Sequence, residues 1–452
     1  MRYALVPRHY VAGEGGAADH VVLWVGALSD DVAMTRPQPA VVRAGEASAE
    51  VTWRYAFGER VYADEVTLPV AFGRGEVALE LDGRVVATAV VGAPPRELPG
   101  PGERPYTVLI GSCYGVHRDV GRRLARAAEA LVAGGAAPDV KFLCGDQVYL
   151  DVPTDYAETE HPREELEEKF LGKYLATWSD AGLLPLLRLG ATWLTSDDHE
   201  FWNEYPAMRG VRGRTAAWES IARDLFTLFQ RREEPAPFSA GAVSFFSLDT
   251  RLDRAEAFED FCPPTRLDAV QRWLDGLSGV GVLVLGETFF GEENTLRMSL
   301  SRKLGELAHR PTIYGTLQEY RQYHALAAML ARSGKTVVLL AGDVHWGRIS
   351  ECKLPNGTRL VEVVSSPLTL SDWGFSKAGR PWTPSPTPFE AAGLRGDVVT
   401  HRGPDGEPYQ PGHDHFCTLE FSRADAGVRM RVRHWRVDDA PPAGEVVFEV
   451  VL

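Results

Sequence analysis

Four short apolar runs along the chain each end in a group of polar residues. They read VLIGSCYG from Val108, KFLCGDQVYLD from Lys141, TWLTSDDHE from Thr192 and VVLLAGDVH from Val337. An apolar run of this length is typical of a strand buried on both faces. Because open α/β sheets bind ligands beyond the carboxyl ends of their strands, the polar residues after these runs are the candidate site residues. They are Cys113, Asp146, Tyr149, Asp197, Asp198, His199, Glu200, Asp343 and His345.

The first hundred residues show a different pattern. Alternating or apolar runs such as ASAEVTWRYAF and EVALELDG are separated by Gly and Asp, which predicts the antiparallel strands of a β-sandwich. The segment from Gly92 to Pro105 is rich in Pro and Gly and reads as a linker. We therefore predict an N-terminal β-sandwich domain over residues 1–100 and a second domain over residues 101–452.

From Tyr106 onwards, strand-like runs alternate with helical ones. PREELEEKFLGKYLATW, which begins at Pro162, has Pro and acidic residues where a helix should start. Strand-like runs follow towards the end of the chain, so we predict a mixed sheet layered with helices. The segment over residues 369–411 is dense in Pro and Gly, and we interpret it as a long loop that forms a lid or is partly disordered.

Charge and cysteine usage narrow the function. The net charge of -14 and the pI near 5.4 argue against nonspecific nucleic-acid binding, although bound cations can still attract an anionic substrate. Five widely spaced cysteines suit a reducing compartment. No apolar run approaches the ~20 residues that span a membrane. The first residues show neither a signal peptide nor a twin-arginine leader, so we expect a cytoplasmic protein without a membrane partner.

The Gly-Asp and Asp-Asp-His-Glu turns carry the ligand chemistry. Asp146 can bridge two cations with its two oxygens, and a Tyr149 phenolate is a hard ligand suited to ferric iron. Three contiguous acids around His199 repel one another unless solvent or cations neutralise them. Asp343 and His345 lie two residues apart and point to one side of an extended segment, which suits iron, manganese or zinc. The structural alternatives are a loop-capping aspartate, a solvated acidic turn and a core histidine.

Two further residues have more than one interpretation. Cys113 could be a thiolate ligand, a nucleophile or a small buried side chain. Arg251 follows the strand-like run SFFSL and could clamp a phosphate, or it could form a structural pair with Asp249. The weaker candidates are Asn203, Arg254, Glu287, His413, Asp414 and His415.

The order of these motifs resembles a known enzyme family. A Gly-Asp-x-x-Tyr motif, an acid followed by His-Glu, and Gly-Asp-x-His are similar to the calcineurin-like metallophosphoesterases. GSC, GDQVY, DDHE, DTR and GDVH together resemble the alkaline phosphatase D (PhoD-like) family over residues 106–366. The chain departs from that family in having only Asn203 after DDHE, and we interpret it as a divergent member.

This resemblance implies a fold, a cofactor set and residue roles. The implied fold is a four-layer αββα sandwich that follows an N-terminal β-sandwich. The implied metals are Fe3+ and Ca2+, or another divalent metal such as Mn2+ or Zn2+. Asp146 would be the bridging ligand, Cys113 and Tyr149 would bind the ferric ion, and Asp198, Asp343 and His345 would complete the metal ligands. His199 would be the general acid.

The leading hypothesis is a metal-dependent phosphoesterase that acts on small phosphomonoesters or phosphodiesters. A metal-bound hydroxide would attack phosphorus. His199, positioned by Asp197 or Glu200, would protonate the leaving group, and Arg251 would hold the phosphate. One alternative is a metal-independent hydrolase with Cys113 as its nucleophile. The other is a binding scaffold without catalytic activity. The sequence leaves the natural substrate and the oligomeric state open.

Overall fold

The computed structural model describes the chain except for residues 14–17, 31–32, 72, 153–158, 212, 257, 292–315, 372–384 and 440–442. The described residues form 23 strands and six α-helices, so the mixed α/β class is confirmed. None of the described helices is both long and apolar enough to cross a membrane.

The N-terminal residues form two antiparallel four-stranded sheets. Their strands are β1 (Arg2–Val11), β2 (His20–Leu28), β3 (Ala40–Ala44), β4 (Ala47–Val51), β5 (Tyr55–Phe57), β6 (Val61–Pro69), β7 (Gly75–Leu81) and β8 (Arg84–Val91). The strand orders are β1-β2-β6-β5 and β4-β3-β7-β8. Burial alternates along β8, as expected for a strand with one face towards a core.

These N-terminal strands share a hydrophobic core with the rest of the chain. Tyr10 packs on Trp193, with 5.3 Å between the ring centroids, and both belong to the same buried cluster. The indole Nε1 of Trp24 donates a hydrogen bond of 2.8 Å to the carbonyl of Leu228. Leu98 is buried within the Pro- and Gly-rich segment. The division into two domains at residue 100 stays a prediction.

A six-stranded sheet follows. Its strands are β9 (Tyr106–Gly111), β10 (Val140–Cys144), β11 (Ala191–Thr195), β21 (His415–Arg423), β22 (Val428–Arg436) and β23 (Glu445–Val451), in the order β11-β10-β9-β21-β22-β23. Strands β9, β10 and β11 are parallel, and every residue in them is buried. Three of the four apolar runs are therefore confirmed as fully buried strands.

The fourth run lies in a seven-stranded sheet. This sheet contains β12 (Phe238–Ala240), β13 (Val243–Ser247), β14 (Val280–Val284), β15 (Thr336–Ala341), β16 (Arg348–Lys353), β17 (Arg359–Val364) and β20 (Val398–Thr400). The order is β12-β13-β14-β15-β17-β16-β20. Strand β15 is the run from Val337, and it pairs in parallel with β14 and β17.

The prediction of one long loop over residues 369–411 is wrong for much of its described part. Strands β18 (Phe389–Ala391) and β19 (Leu394–Gly396) form a hairpin there. Strand β20 then pairs antiparallel with β16 at the edge of the seven-stranded sheet. Residues 372–384 of this segment lie outside the described residues.

The two larger sheets pack on each other and on helices. The helices are α1 (Arg123–Ala133), α2 (Arg163–Trp178), α3 (Leu184–Leu187), α4 (Ala216–Phe229), α5 (Pro264–Asp275) and α6 (Arg321–Arg332). Because strand side chains alternate, one face of each sheet joins a common cluster, in which Phe142 and Phe245 stack at 5.9 Å. The other faces pack with α1–α4 in one cluster and with α5 and α6 in another.

Phe245 tests this shared core. Its ring lies between the larger sheets, is 1% exposed and stacks on Phe238 at 4.7 Å. We expect Phe245→Ala to lower the free energy of unfolding by about 3–5 kcal/mol, because it leaves a cavity. Urea unfolding measures this change. The control is Val399→Ala on β20, where the side chain is 59% exposed and the expected change is within about 0.5 kcal/mol. Equal changes in the two variants would contradict the packing described.

Candidate metal centre

The ends of β9, β10, β11 and β15 bring most of the predicted ligands together. Cys113, Asp146 and His345 form one group of potential ligand atoms that lie within 4.8 Å of one another, and Asp146, Asp198 and His199 form another. Asp146 belongs to both groups. The phenol of Tyr149 donates a hydrogen bond of 3.0 Å to Asp146 Oδ2. Asp146 thus lies at the middle of the assembly, as a bridging ligand must.

Unusual backbone conformations place four of these side chains. Cys113, Asp146, Asp343 and His345 have φ angles of 59°, 59°, 67° and 57°, in the left-handed region that residues with a Cβ rarely occupy. Such conformations persist where the surrounding structure enforces them, and they are concentrated at functional sites. Gly145 (φ 84°) precedes Asp146, and a Cβ there would lie 2.3 Å from that of Asp197. Only glycine fits this turn.

Cys113 lies at the buried base of the centre. Its Sγ is 3.5 Å from Asp146 Oδ2 and 3.2 Å from the carbonyl oxygen of Asp343, and it accepts a hydrogen bond of 3.2 Å from Ser366 Oγ. Burial, together with the charges of Asp146 and Asp343, raises the pKa of this thiol well above its ordinary value. Without a bound cation, Cys113 is a neutral thiol.

His345 is oriented as a neutral ligand. Its Nδ1 lies 3.2 Å from the carbonyl oxygen of Leu370, to which Nδ1–H can donate, so that Nε2 carries the lone pair. Burial lowers the pKa of the imidazole to about 4. A metal-binding histidine is commonly held in this way by an acceptor at its other nitrogen.

The carboxylates of the centre need cations. Burial raises the pKa of Asp146 to about 6, and the charge of Asp198 adds to this effect. Burial and the neighbouring acids raise the pKa of Asp343 well above its ordinary value. Among the described residues, no lysine or arginine forms an ion pair with Asp146, Asp198 or Asp343. Bound cations would reverse these shifts, so the donor set fits a metal centre.

The centre is accessible from one side. Asp146 and Cys113 are buried, whereas Tyr149, Asp343 and His345 are only half-buried. Solvent therefore reaches part of this group of oxygen donors, imidazole and thiol. Oxygen ligands suit calcium, and the mixed donors suit iron, manganese or zinc.

A comparison with solved structures shows the fold. No protein-family model and no curated protein matches the chain. A solved structure of PhoD matches it with a TM-score of 0.63 at 13% sequence identity, covering 98% of this chain and 88% of that one. The chain has a PhoD-like fold. The alignment with a glycosyl hydrolase family 2 member from Bacteroides cellulosilyticus covers 96% of this chain and 67% of that chain at 10% identity. Its TM-score of 0.24 is too low to indicate a shared fold.

Within this PhoD-like fold, the acids of the DDHE turn have different tasks. Asp197 caps the 3-10 helix Asp198–Glu200 by accepting a hydrogen bond of 2.8 Å from the Asp198 amide. Glu200 accepts hydrogen bonds from the amides of Asp146, Gln147 and Asp197 at 2.8–2.9 Å. Neither residue is the hydrogen-bond partner of His199 Nδ1. Their predicted role in positioning His199 is therefore wrong.

Asp151 has that role instead. Its Oδ1 lies 2.7 Å from His199 Nδ1, and its Oδ2 accepts a hydrogen bond of 2.8 Å from the amide of Asn203. Burial alone would lower the pKa of His199, but the charges of Asp151, Asp198 and Asp146 raise it well above its ordinary value. Sequence reasoning missed Asp151, although this residue closes the run KFLCGDQVYLD.

The contacts of Arg251 do not support the predicted phosphate clamp. Its Nε donates to Asp197 Oδ1 at 2.6 Å, its Nη1 to the Tyr205 carbonyl at 2.9 Å and its Nη2 to Glu287 Oε1 at 2.5 Å. Arg254 also pairs with Glu287. Burial opposes ionisation of Glu287, but the two arginines lower its pKa below the ordinary value. Arg251 therefore neutralises acids behind the centre.

Two of the other weak candidates, Asn203 and His415, do not contribute to the centre. The side chain of Asn203 is exposed, so it is no amide ligand in this structure. His415 belongs to a separate group of potential ligands that shares no residue with the groups around Asp146. Glu287, in contrast, joins Asp197 and Asp343 in a third group. Its position at the end of β14 was the only sequence signal for it.

A substitution at Glu287 tests whether this carboxylate balances the charges of Arg251 and Arg254. We expect Glu287→Gln to lower the free energy of unfolding by about 3–5 kcal/mol, because two buried guanidinium groups lose their shared carboxylate. Denaturant unfolding followed by circular dichroism measures the change. Glu80→Gln is the matched control, since Glu80 pairs with Arg43, whose side chain is 51% exposed, and an effect within about 1 kcal/mol is expected. A Glu287 variant as stable as its control would refute this account of Arg251.

Proposed function

We propose that the chain is a metal-dependent phosphoesterase that hydrolyses small phosphomonoesters or phosphodiesters. The PhoD-like fold supports a hydrolase of this kind but does not fix the reaction. The observation that carries the proposal is the position of Asp146 in two ligand groups at once. The finer architecture belongs to the same proposal: a four-layer αββα sandwich that follows an N-terminal β-sandwich domain.

The residues around Asp146 divide into two ligand sets. Cys113, Tyr149 and His345 give a sulfur, a phenol and an imidazole, which suit Fe3+. Asp198 and Asp343 give oxygens, which suit Ca2+, with Mn2+ or Zn2+ as alternatives. When bound, the metals polarise phosphoryl oxygens and lower the pKa of water. The protein's part is to hold the ester at the accessible side and to supply a proton.

His199 is the proposed proton donor. Asp151 holds Nδ1 at 2.7 Å, and Tyr149 packs on the imidazole with 4.3 Å between ring centroids, so the ring has a fixed orientation. The charge of Asp151, which is not one of the proposed metal ligands, raises the pKa of the imidazole and so favours its protonated form. Nε2, on the opposite side of the ring from Asp151, would give its proton to the leaving oxygen as the P–O bond breaks.

The structure offers little support for the two alternatives. A cysteine nucleophile needs a lowered thiol pKa, whereas burial and two carboxylates raise that of Cys113. No hydrogen bond between a histidine and its sulfur is found among the described residues. A scaffold without activity would have no need for four strained ligand residues in three neighbouring turns.

Asp146→Asn tests the metal dependence. The variant loses a charged ligand from both metal groups, so we expect metal content to fall and hydrolysis of aryl phosphate mono- and diesters to drop to background. Elemental analysis and steady-state kinetics on the purified protein measure both. Asp268→Asn, on an exposed position of α5, is the control and should keep full metal and activity. A folded Asp146→Asn protein with wild-type activity would disprove the mechanism.

Asp151→Asn tests the proton donor through its positioning residue. The substitution keeps the hydrogen-bonding shape but removes the charge that holds His199 protonated. We expect kcat to fall about 10²-fold for alkyl phosphates, whose leaving groups need a proton. For aryl phosphates with acidic leaving groups the loss should be much smaller, with unchanged metal content. The same loss for both substrate types would argue against His199 as the acid.

A further inference from the structure

A second cluster of nitrogen and sulfur side chains lies on the hairpin of β21 and β22. His413 precedes β21, and His415 and Cys417 follow at alternate positions along the chain. Since strand side chains alternate between faces, His415 and Cys417 share one face. Cys417 is directly opposite His434 of β22 in the antiparallel register, which brings their side chains together.

The geometry of this cluster suits one metal ion. His415, Cys417 and His434 are all buried, and one potential ligand atom from each lies within 4.8 Å of the others. The hydroxyl of Tyr409 is 3.4 Å from Cys417 Sγ and 2.7 Å from His434 Nδ1, so an oxygen adjoins the sulfur and one of the imidazoles. Rigid strands, rather than loops, carry three of these four side chains.

Both histidines are oriented from behind by His413. His415 Nδ1 lies 2.7 Å from the His413 carbonyl oxygen, which can only accept, so Nδ1 carries the hydrogen and Nε2 the lone pair. His434 Nε2 lies 2.8 Å from His413 Nε2. When His434 donates in that contact, its Nδ1 also presents a lone pair. Metal-binding histidines show this pattern, in which the other ring nitrogen donates to a fixed acceptor.

One nitrogen of the cluster has no hydrogen-bond partner among the residues that the structure describes. This atom is Nε2 of His415, on a side chain with 0% exposure. A buried acceptor without a partner carries a desolvation cost that no hydrogen bond offsets. Gly347 leaves the space beside it open, since a Cβ there would lie 2.8 Å from this nitrogen. The lone pair therefore points to a ligand that hydrogen bonds within the protein do not supply.

We propose that His415, Cys417 and His434, with the Tyr409 oxygen as the nearest fourth donor, form a second transition-metal site of the class that binds Zn2+. Two imidazole nitrogens and a thiolate in a closed, buried setting are typical of structural zinc ligands. On binding, the Cys417 S–H bond breaks, a metal–sulfur bond forms and the proton passes to solvent. The ion would fasten the hairpin that pairs with β9. This site does not depend on the proposed phosphoesterase function.

Cobalt provides the test, because Co2+ bound to a thiolate absorbs in the near ultraviolet and a tetrahedral site absorbs in the visible. The experiment uses the full chain carrying Cys113→Ser, which removes the sulfur of the Asp146 centre. We expect Co2+ added in excess over all the proposed sites to produce the thiolate band. Adding Cys417→Ala should abolish the band, whereas adding Cys352→Ala, at another buried cysteine, should preserve it.

The outcomes separate this site from the centre around Asp146. Adding Asp146→Asn to Cys113→Ser should leave the thiolate band unchanged, whatever happens to hydrolysis. A Cys113→Ser protein without a thiolate band overturns the proposal, and this result stands even if Cys417→Ala does not fold. A folded Cys417→Ala variant that retains the band also overturns it.

Discussion

The rest of the structure depends on one constraint: the charges of the buried carboxylates around Asp146 must be balanced where little water can solvate them. Asp146, Asp197, Asp198 and Asp343 crowd together at the ends of strands from both larger sheets. Like charges at such distances disfavour ionisation unless cations intervene. On one side, Arg251 and Arg254 meet Asp197 and Glu287. On the other side, no lysine or arginine among the described residues forms an ion pair with Asp146, Asp198 or Asp343, and His199 pairs with Asp151, so most of the balance is left to bound metals.

Backbone amides hold the crowded acids in place. Glu200 accepts hydrogen bonds from amides of both the Asp146 turn and the Asp197 turn, so it joins the ends of β10 and β11. Burial and the charge of Asp146 raise the pKa of Glu200 to about 8, and the hydrogen bonds from these amides oppose that rise. The buried side chain of Glu200 therefore stabilises the strained turn at Asp146. This division of labour explains why three adjacent acids can be buried in one segment.

The sequence predicted the position of the centre better than the contacts within it. The apolar runs show where the strands end, and the carboxyl ends of parallel strands lie at the same edge of a sheet. The position of the metal centre could therefore be predicted from the local sequence pattern. The partner of each polar group could not, because it depends on side-chain direction across long separations. His199 meets Asp151, 48 residues away, and Arg251 meets Glu287, 36 residues away. Long-range pairing also explains the wrong prediction for residues 369–411. There β20 is a strand because it pairs with the edge of β16, which the local sequence does not show.

The position of β21 has a consequence for how the chain folds as it is synthesised. This strand pairs with β9, although about three hundred residues separate them in the chain. Until β21 has left the ribosome, one edge of β9 has no strand to pair with. Long-range strand pairing of this kind is slow, and an unpaired edge promotes aggregation. The ligand turn at Cys113 directly follows β9, so its final geometry must also wait. A nascent chain would thus complete this metal-binding turn only after β21 has been synthesised.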